Sequence, residues 1–185
     1  SGLAEACLMA VRAHRKSKSE RILLPRTVNP AYRACTRAIA EGQGLTFEDV
    51  PYCPKTGRTL PAALAPYAGQ DITAIVIQQP NFFGQLEEVD QLTAWARSNG
   101  ALVIGVVNPT SLAVLKPPGQ WGKLGADIAI GDGRHKSHTT VGRDFQLNGG
   151  TERMSGRLAG WRRYARESRI SRISSTASAA SASVE

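Results

Sequence analysis

Long apolar runs, paired cysteines and aromatic residues are all scarce in this sequence of 185 residues. The longest apolar stretches, such as residues 101–107, fall far short of the ~20 residues that a bilayer-spanning helix needs, so no membrane partner is expected. Three cysteines without a CxxC or paired spacing (Cys7, Cys35 and Cys53) fit a reducing cytoplasm. Basic residues follow the first apolar stretch instead of preceding it, which argues against a signal peptide.

Charge is unevenly distributed along the chain. Residues 134–185 hold ten of the 23 Lys and Arg residues but only four of the 15 acidic ones, so the body of the chain is nearly neutral. A basic tail binds polyanions non-specifically. A nucleic-acid-binding protein is therefore a third-ranked hypothesis that rests on the tail, where Trp161 and Tyr164 are the aromatic residues able to stack on bases. No specific nucleic acid is expected.

Helical and strand patterns alternate along the first two thirds of the chain. Apolar residues at helical spacing predict helices at residues 3–12, 30–40 and 86–97, with a short helix candidate at 59–64. Apolar, β-branched runs predict strands at residues 21–25, 45–50, 73–77, 101–107 and 126–130. This alternation predicts an α/β domain over residues 1–133, with a mainly parallel sheet and helices on both faces.

Residues 134–185 have a different composition. Arginine alternates with serine from Arg162 to Arg172, and residues 174–183 are almost wholly serine and alanine. Low hydrophobicity combined with high charge is typical of disordered segments. We therefore predict a poorly ordered, basic tail rich in Ser, Arg and Ala after Gly133.

The loop after the strand at 73–77 carries two adjacent aromatic residues, Phe82 and Phe83, between Asn81 and Gly84. Ligands of parallel sheets bind beyond the carboxyl ends of the strands, so the position of this loop makes Asn81 a candidate cofactor-binding residue. Aromatic side chains are most often packing residues. Two readings stay open for the pair: it covers the edge of the sheet, or it contacts a subunit or substrate site.

A second polar loop follows the next strand, at residues 108–111. Asn108 and Ser111 are candidate cofactor-binding residues because they come at the carboxyl end of a predicted parallel strand. The alternative is ordinary turn chemistry, since Asn-Pro commonly starts a turn. Turn signals are so common that the sequence alone favours this alternative.

Several blocks together resemble a known family. They are ACLMAVR, LLPRTVNPAYR, IQQPNFFGQLEEV, GALVIGVVNPTSLAVLKPPGQWG and GADIAIGDG, in residues 1–133. Their order and spacing resemble the P-protein of the glycine cleavage system, either its first subunit or the amino-terminal half of its fused form. The PNFFG loop, the NPTSL turn and the KPPG turn are specific as a set.

The resemblance implies the large domain of aspartate-aminotransferase-like (fold type I) pyridoxal-phosphate enzymes. It implies a heterotetramer that decarboxylates glycine and passes the aminomethyl group to the lipoyl arm of the H-protein. The Schiff-base lysine and the pyridoxal phosphate are expected on the second subunit, with the site near the interface. In this fold an aspartate usually faces the pyridine nitrogen; the matching residue here is Asn108, whose neutral amide suits a lysine-free subunit.

Two departures from the family pattern define an alternative. The N-terminal portion expected of this subunit is missing, which together with the absent start methionine indicates a processed or cut N-terminus, and the family pattern fades after Gly133. A weak resemblance to the family returns at residues 153–160 and is lost again. The alternative function is a degenerate, non-enzymatic α/β remnant of the subunit, with a frameshift or gene decay as the hypothesis for the changed tail.

Lys136 is the one residue that suggests a catalytic lysine within this chain. The run from His135 to Thr140 resembles a pyridoxal-phosphate lysine loop, and Lys136 follows a predicted strand end. The competing interpretation is that Lys136 is one of many basic residues of the tail, and the upstream match to the first subunit favours it. His135 and His138 have metal-like spacing, but two ligands without further Cys or carboxylate ligands predict no metal site.

Overall fold

A computed structural model of the protein describes residues 2–131 and the backbone of residues 145–146. Three α-helices and six strands lie in this part of the chain: α1 (Gly2–Ala13), β1 (Arg21–Pro25), α2 (Pro30–Ala40), β2 (Thr46–Val50), β3 (Ala74–Gln79), α3 (Val89–Ser98), β4 (Leu102–Val107), β5 (Ile128–Gly131) and β6 (Phe145–Gln146). Short 3-10 segments occupy Glu41–Gln43, Pro61–Tyr67, Pro109–Ala113 and Pro118–Gln120.

The strands form a single mixed sheet in the order β2-β1-β3-β4-β5-β6. The first five strands pair in parallel, and β6 runs antiparallel to β5. The register pairs Ala74 with both Ile22 and Leu102, and Ile104 with Ile128. Parallel strands need a crossover connection, which α2 supplies between β1 and β2 and α3 supplies between β3 and β4.

Each face of the sheet has its own hydrophobic core. The first core packs α1 and α2 against alternate strand residues that include Ile22, Val76 and Ile104. The second packs α3 and the Pro61–Tyr67 segment against the intervening residues, such as Leu23 and Ile75. Because successive strand residues point to opposite faces, the consecutive buried apolar residues of β1, β3, β4 and β5 require cover on both sides, and the helices provide it.

The predicted fold class, a mainly parallel α/β sheet with helices on both faces, is confirmed. Two element predictions need correction. The helix predicted at 86–97 begins only at Val89, because Glu87 is buried in a loop network and Leu86 is exposed. The helix candidate at 59–64 is a 3-10 segment at Pro61–Tyr67, since Thr59 belongs to the same network and Pro66 removes an amide donor that an α-helix would use.

Most of the predicted tail lies outside the described residues, so the boundary after Gly133 stays a prediction. Among residues 2–131, none of the helices has both the length and the apolar character that crossing a membrane requires.

Candidate functional site at the carboxyl edge of the sheet

The carboxyl ends of the parallel strands bring the predicted loops to one edge of the sheet. Strand β1 lies between β2 and β3 in the sheet, and the chain leaves β1 toward α2 but leaves β3 toward α3. These helices cover opposite faces. The boundary between β1 and β3 is therefore the point where the connections diverge, which is where open α/β sheets form a ligand crevice.

The loops at this boundary are joined by hydrogen bonds within the chain. The backbone N–H of Phe82 donates to Thr27 O at 2.8 Å, and the N–H of Asn29 donates to Gln78 Oε1 at 2.9 Å. The hydroxyls of Thr27 and Thr59 lie 2.9 Å apart and share a hydrogen bond. The chain's own polar groups thus fasten the loop after β3 to the loop after β1.

Asn81 belongs to the loop after β3 and is buried. All the hydrogen-bonding groups of its side chain are bonded to other residues of this chain. Its Nδ2 donates to Gly57 O at 2.7 Å and to Glu87 Oε1 at 2.9 Å. Its Oδ1 accepts from the N–H groups of Phe83 and Gln85, both at 3.0 Å. Two donors and two acceptor sites exhaust a carboxamide. The structure therefore gives Asn81 a loop-shaping role, and its contact with a cofactor stays a prediction.

Glu87 holds the other side of the same network. The side chain is 5% exposed, and its Oε2 accepts from the N–H of Thr59 at 2.9 Å. Its own N–H donates to Gln79 Oε1 at 2.8 Å. No salt bridge reaches Glu87 from any described residue, so neutral donors alone hold this carboxylate. A buried charge is costly without such donors. The donors therefore stabilise the buried carboxylate, and the carboxylate in turn accepts hydrogen bonds that the buried donors would otherwise lack.

The aromatic pair above this network is half exposed. Phe82 is 49% and Phe83 is 43% exposed. The Phe83 ring lies 4.8 Å from the Tyr52 ring and 5.6 Å from the Phe82 ring, measured between centroids. These rings therefore pack on each other and still present apolar surface to solvent. The result agrees with part of each interpretation. The rings pack at the edge of the sheet, and they also stay accessible to a subunit or a substrate.

Asn108 and Ser111 shape the turn after β4. Asn108 caps the 3-10 segment Pro109–Ala113, and its Oδ1 accepts from the N–H of Thr110 at 3.0 Å and from Thr110 Oγ1 at 2.7 Å. The Ser111 hydroxyl donates to Asn108 O at 2.7 Å. This arrangement confirms the turn chemistry. Asn108 is also exposed, so a bound molecule can reach it. Its contact with a cofactor stays a prediction.

An arginine cluster surrounds Asp49 near the end of β2. Arg33 and Arg37 donate to Asp49 Oδ1 at 2.7 and 2.8 Å, and Arg26 Nε lies 3.8 Å from Oδ2. Partial burial would raise the pKa of Asp49, but the hydrogen bonds from Arg33 and Arg37 outweigh it and lower the pKa below its ordinary value. Arg37 also pairs with Glu41. The cluster ties α2 to β2 beside the crevice.

Lys136, His135 and His138 lie outside the described residues. The Schiff-base prediction for Lys136 therefore stays a prediction. Within residues 2–131 no group of three or more His, Cys, Asp and Glu side chains is close enough to bind a metal ion. The three cysteines, all in this range, form no disulfide.

The described residues do not by themselves fit pyridoxal phosphate. Asn108 directly follows β4, and its amide oxygen is already bonded to Thr110, whereas a pyridine nitrogen would need a carboxylate. The amide of Asn81 has no donor left for a phosphate or a ring oxygen. What this edge does offer is an apolar aromatic surface and exposed polar groups beside it.

Comparison with known proteins decides the family. A family model described as glycine cleavage system P-protein matches residues 1–137, well over half of the chain. The chain belongs to the P-protein family. A glycine decarboxylase P-protein of the glycine cleavage system, crystallised in inhibitor-bound form, matches 71% of the chain at 40% identity with a TM-score of 0.61. This P-protein likeness supports the fold assignment.

Two similar curated P-proteins are named as first subunits. The "Probable glycine dehydrogenase (decarboxylating) subunit 1" of Thioalkalivibrio sulfidiphilus is 64% identical over 134 residues, and that of Alcanivorax borkumensis is 59% identical over 134 residues. Each alignment covers 72% of this chain and 30% of the relative. The chain thus spans less than a third of the length of these relatives, and it covers 27% of the crystallised P-protein.

Sequence reasoning missed Glu87, Thr59 and Thr27, which together with Asn81 form the hydrogen-bond network of the loop at residues 80–85, called the aromatic loop. The residues around Glu87 have apolar side chains at helical spacing, and that signal concealed a buried carboxylate in a loop. The arginine cluster was also missed. Arg33 and Arg37, four residues apart on a predicted helix, share one face and are the signal by which that cluster could have been found.

Proposed function

We propose that this chain serves as part of the lysine-free subunit of glycine decarboxylase and completes the enzyme together with a second, pyridoxal-phosphate-binding subunit. The supporting observation is the half-exposed pair Phe82 and Phe83, held over a hydrogen-bonded floor at the carboxyl edge of the sheet. Exposed aromatic surface of this kind is typical of protein–protein interfaces. The match to first subunits supports the same reading.

The proposed enzyme decarboxylates glycine and transfers the aminomethyl group to the lipoyl arm of the H-protein. Pyridoxal phosphate, bound mainly by the second subunit near the interface, supplies the electron sink for the loss of carbon dioxide. In this proposal the aromatic loop packs against the second subunit. Asn108, which is exposed, and Ser111, which is half-buried, lie at the same edge and contact the cofactor region in this proposal. The buried side chain of Asn81 does not reach the partner and instead holds the backbone of the loop through hydrogen bonds.

The proposal places the enzyme in the cytoplasm. Cys7, Cys35 and Cys53 form no disulfide, as expected in a reducing compartment. Its partners are the second subunit, the lipoyl H-protein and glycine.

Reconstitution tests this function. The chain is co-expressed with the second subunit of the same organism, and glycine-dependent release of carbon dioxide is measured with lipoyl H-protein present. We expect activity only when both subunits are present. The double variant Phe82→Ser/Phe83→Ser is expected to weaken association with the second subunit by roughly tenfold or more, since central aromatic residues dominate interface energies.

Leu124→Ser is the matched control for this experiment. Leu124 is 56% exposed and lies before β5, away from the carboxyl ends of the strands, so its loss should leave association unchanged. Equal weakening by both changes would contradict the assignment of the aromatic loop to the interface. Decarboxylation that stays absent with the second subunit bound would favour the alternative, a non-enzymatic remnant of the subunit.

A further inference from the structure

Glu87 takes no part in the proposed chemistry, although it is a buried ionisable group beside the proposed interface. We propose that Glu87 is the positioning residue of the aromatic loop, defined as residues 80–85. Its carboxylate fixes the orientation of the Asn81 amide, and that amide fixes the loop backbone that presents Phe82 and Phe83. The consequence for the second subunit rests on the proposed function; the effect on the loop does not.

The hydrogen-bond chemistry at Glu87 requires a group that only accepts. Its two oxygens face two donors from different segments, Thr59 N–H and Asn81 Nδ2, each at 2.9 Å. An ionised carboxylate is acceptor-only, whereas a glutamine would turn an NH₂ group toward one of these donors. The carboxylate therefore joins the segment that contains Thr59 to the aromatic loop in a way that no neutral residue of similar size reproduces.

The hydrogen bond to Glu87 fixes the orientation of the Asn81 amide, and this orientation determines which loop groups the amide can bind. With Nδ2 directed at Glu87 and Gly57 O, the Oδ1 atom must point the other way, toward the N–H groups of Phe83 and Gln85. If the amide rotated by half a turn, its NH₂ group would face those two donors and both bonds would be lost. The orientation set by Glu87 thus determines whether the loop backbone is held.

Burying a carboxylate at position 87 costs free energy, which is a second argument for a specific role of Glu87. A carboxylate that is 5% exposed and bonded to neutral donors loses most of its hydration. An apolar residue would fill the space at lower cost if only packing were required. Its neighbour Glu88 shows the ordinary alternative, since that carboxylate is half exposed and pairs with Arg58 at 3.0 Å.

Native-state proteolysis of the full chain tests the positioning directly. Chymotrypsin cleaves after Phe82 or Phe83 only when the loop opens locally, so the cleavage rate reports how firmly the loop is held. We expect Glu87→Gln to accelerate this cleavage by about tenfold, the effect of leaving one buried donor without an acceptor. Glu88→Gln, which removes the same charge from the next residue, should leave the rate within about twofold.

A compensating pair separates positioning from a general loss of stability. Asn81→Asp alone would place a second carboxylate against Glu87, and we expect rapid cleavage. The double variant Asn81→Asp/Glu87→Gln restores an amide–carboxylate hydrogen bond with donor and acceptor exchanged, and should cleave more slowly than Asn81→Asp by about fivefold or more. Thermal unfolding of each variant shows whether the rest of the domain stays folded.

Association with the second subunit is measured for the same variants. We expect Glu87→Gln to weaken it and Glu88→Gln to leave it unchanged. If Glu87→Gln neither speeds cleavage nor weakens association, or if the double variant is no better than Asn81→Asp, the positioning role is overturned. If the wild-type chain does not associate with the second subunit at all, the proposed function fails, and the cleavage rates still decide the role of Glu87.

Discussion

Gly105, in the middle of β4, lies against the indole ring of the fully buried Trp121. A Cβ atom added at Gly105 would meet Trp121 Cζ3 at 3.0 Å, Cη2 at 3.1 Å and Pro118 Cβ at 3.2 Å. The Trp121 Nε1–H also donates to Lys116 O at 3.0 Å, which fixes the ring in place. The segment at 116–121 therefore closes the second core by packing a tryptophan against a residue that lacks a side chain.

Gly105→Ala is predicted to destabilise the domain by about 1–3 kcal/mol, because the added methyl group overpacks a rigid contact. Urea unfolding followed by tryptophan fluorescence measures this change. Gly42→Ala is the control: no atom lies within 4 Å of its added Cβ, so the free energy of unfolding should change little. Equal stability of Gly105→Ala and the wild type would show that Trp121 can move away from the strand.

The lowered pKa of Asp49 predicts an acid-dependent loss of stability. The folded pKa is depressed, so the stabilisation is present above the ordinary value and is lost as the pH falls through the folded value. Asp49→Asn should cost about 1 kcal/mol at neutral pH, a modest figure because Asp49 is 33% exposed and screened by solvent. The difference from wild type should vanish in acid, where protonated Asp49 also carries no charge.

Urea midpoints measured against pH check this prediction, with Glu5→Gln as the control for loss of one exposed carboxylate. A difference between Asp49→Asn and wild type that stayed constant into acid would show that the arginine cluster acts through packing and not through the charge of Asp49.

Two cysteines should differ widely in reactivity. Hydrogen bonds from the Thr56 side chain and from the backbone of Thr56 and Lys55 lower the pKa of Cys53, whereas burial raises the pKa of Cys7 to about 12. The thiolate is the reactive form, so iodoacetamide should modify Cys53 in the native chain and Cys7 only after unfolding. Peptide mapping of the alkylated protein assigns the sites.

Thr56 offers a matched pair of variants for the same measurement. Thr56→Val removes the hydroxyl and should slow alkylation of Cys53 at neutral pH, while Thr56→Ser keeps the hydroxyl and should preserve the rate. Equal rates in the two variants would mean that the backbone donors alone stabilise the thiolate.

The sequence predicted β1, β3, β4 and β5 well because each is a mainly apolar run whose residues are largely buried. Strand β1 was predicted to the residue, and helix α2 likewise, since Pro30 marks its first turn and Asn29 caps it. The parallel arrangement followed from the alternation of helices and strands. The start of α3 was missed because Leu86 and Val89 are spaced as in a helix although Leu86 is exposed.

The site was harder to predict than the fold. Loop position correctly indicated where Asn81, Asn108 and Ser111 lie relative to the sheet. It did not reveal that Asn81 is buried with all its hydrogen bonds made, because the partners Gly57 and Glu87 come from segments 24 and 6 residues away. Contacts between irregular segments have no periodicity, so a pattern search has no signal from which to infer them.

Under the proposed function, this chain lacks the catalytic lysine and works only with a second subunit. Borohydride reduction in the presence of pyridoxal phosphate tests it, since reduction fixes the cofactor covalently to whichever lysine holds it. We predict no labelled peptide from this chain alone, and in the presence of the second subunit a label on that subunit only. A label on this chain that disappears in Lys136→Ala would contradict the claim and identify Lys136 as a catalytic lysine.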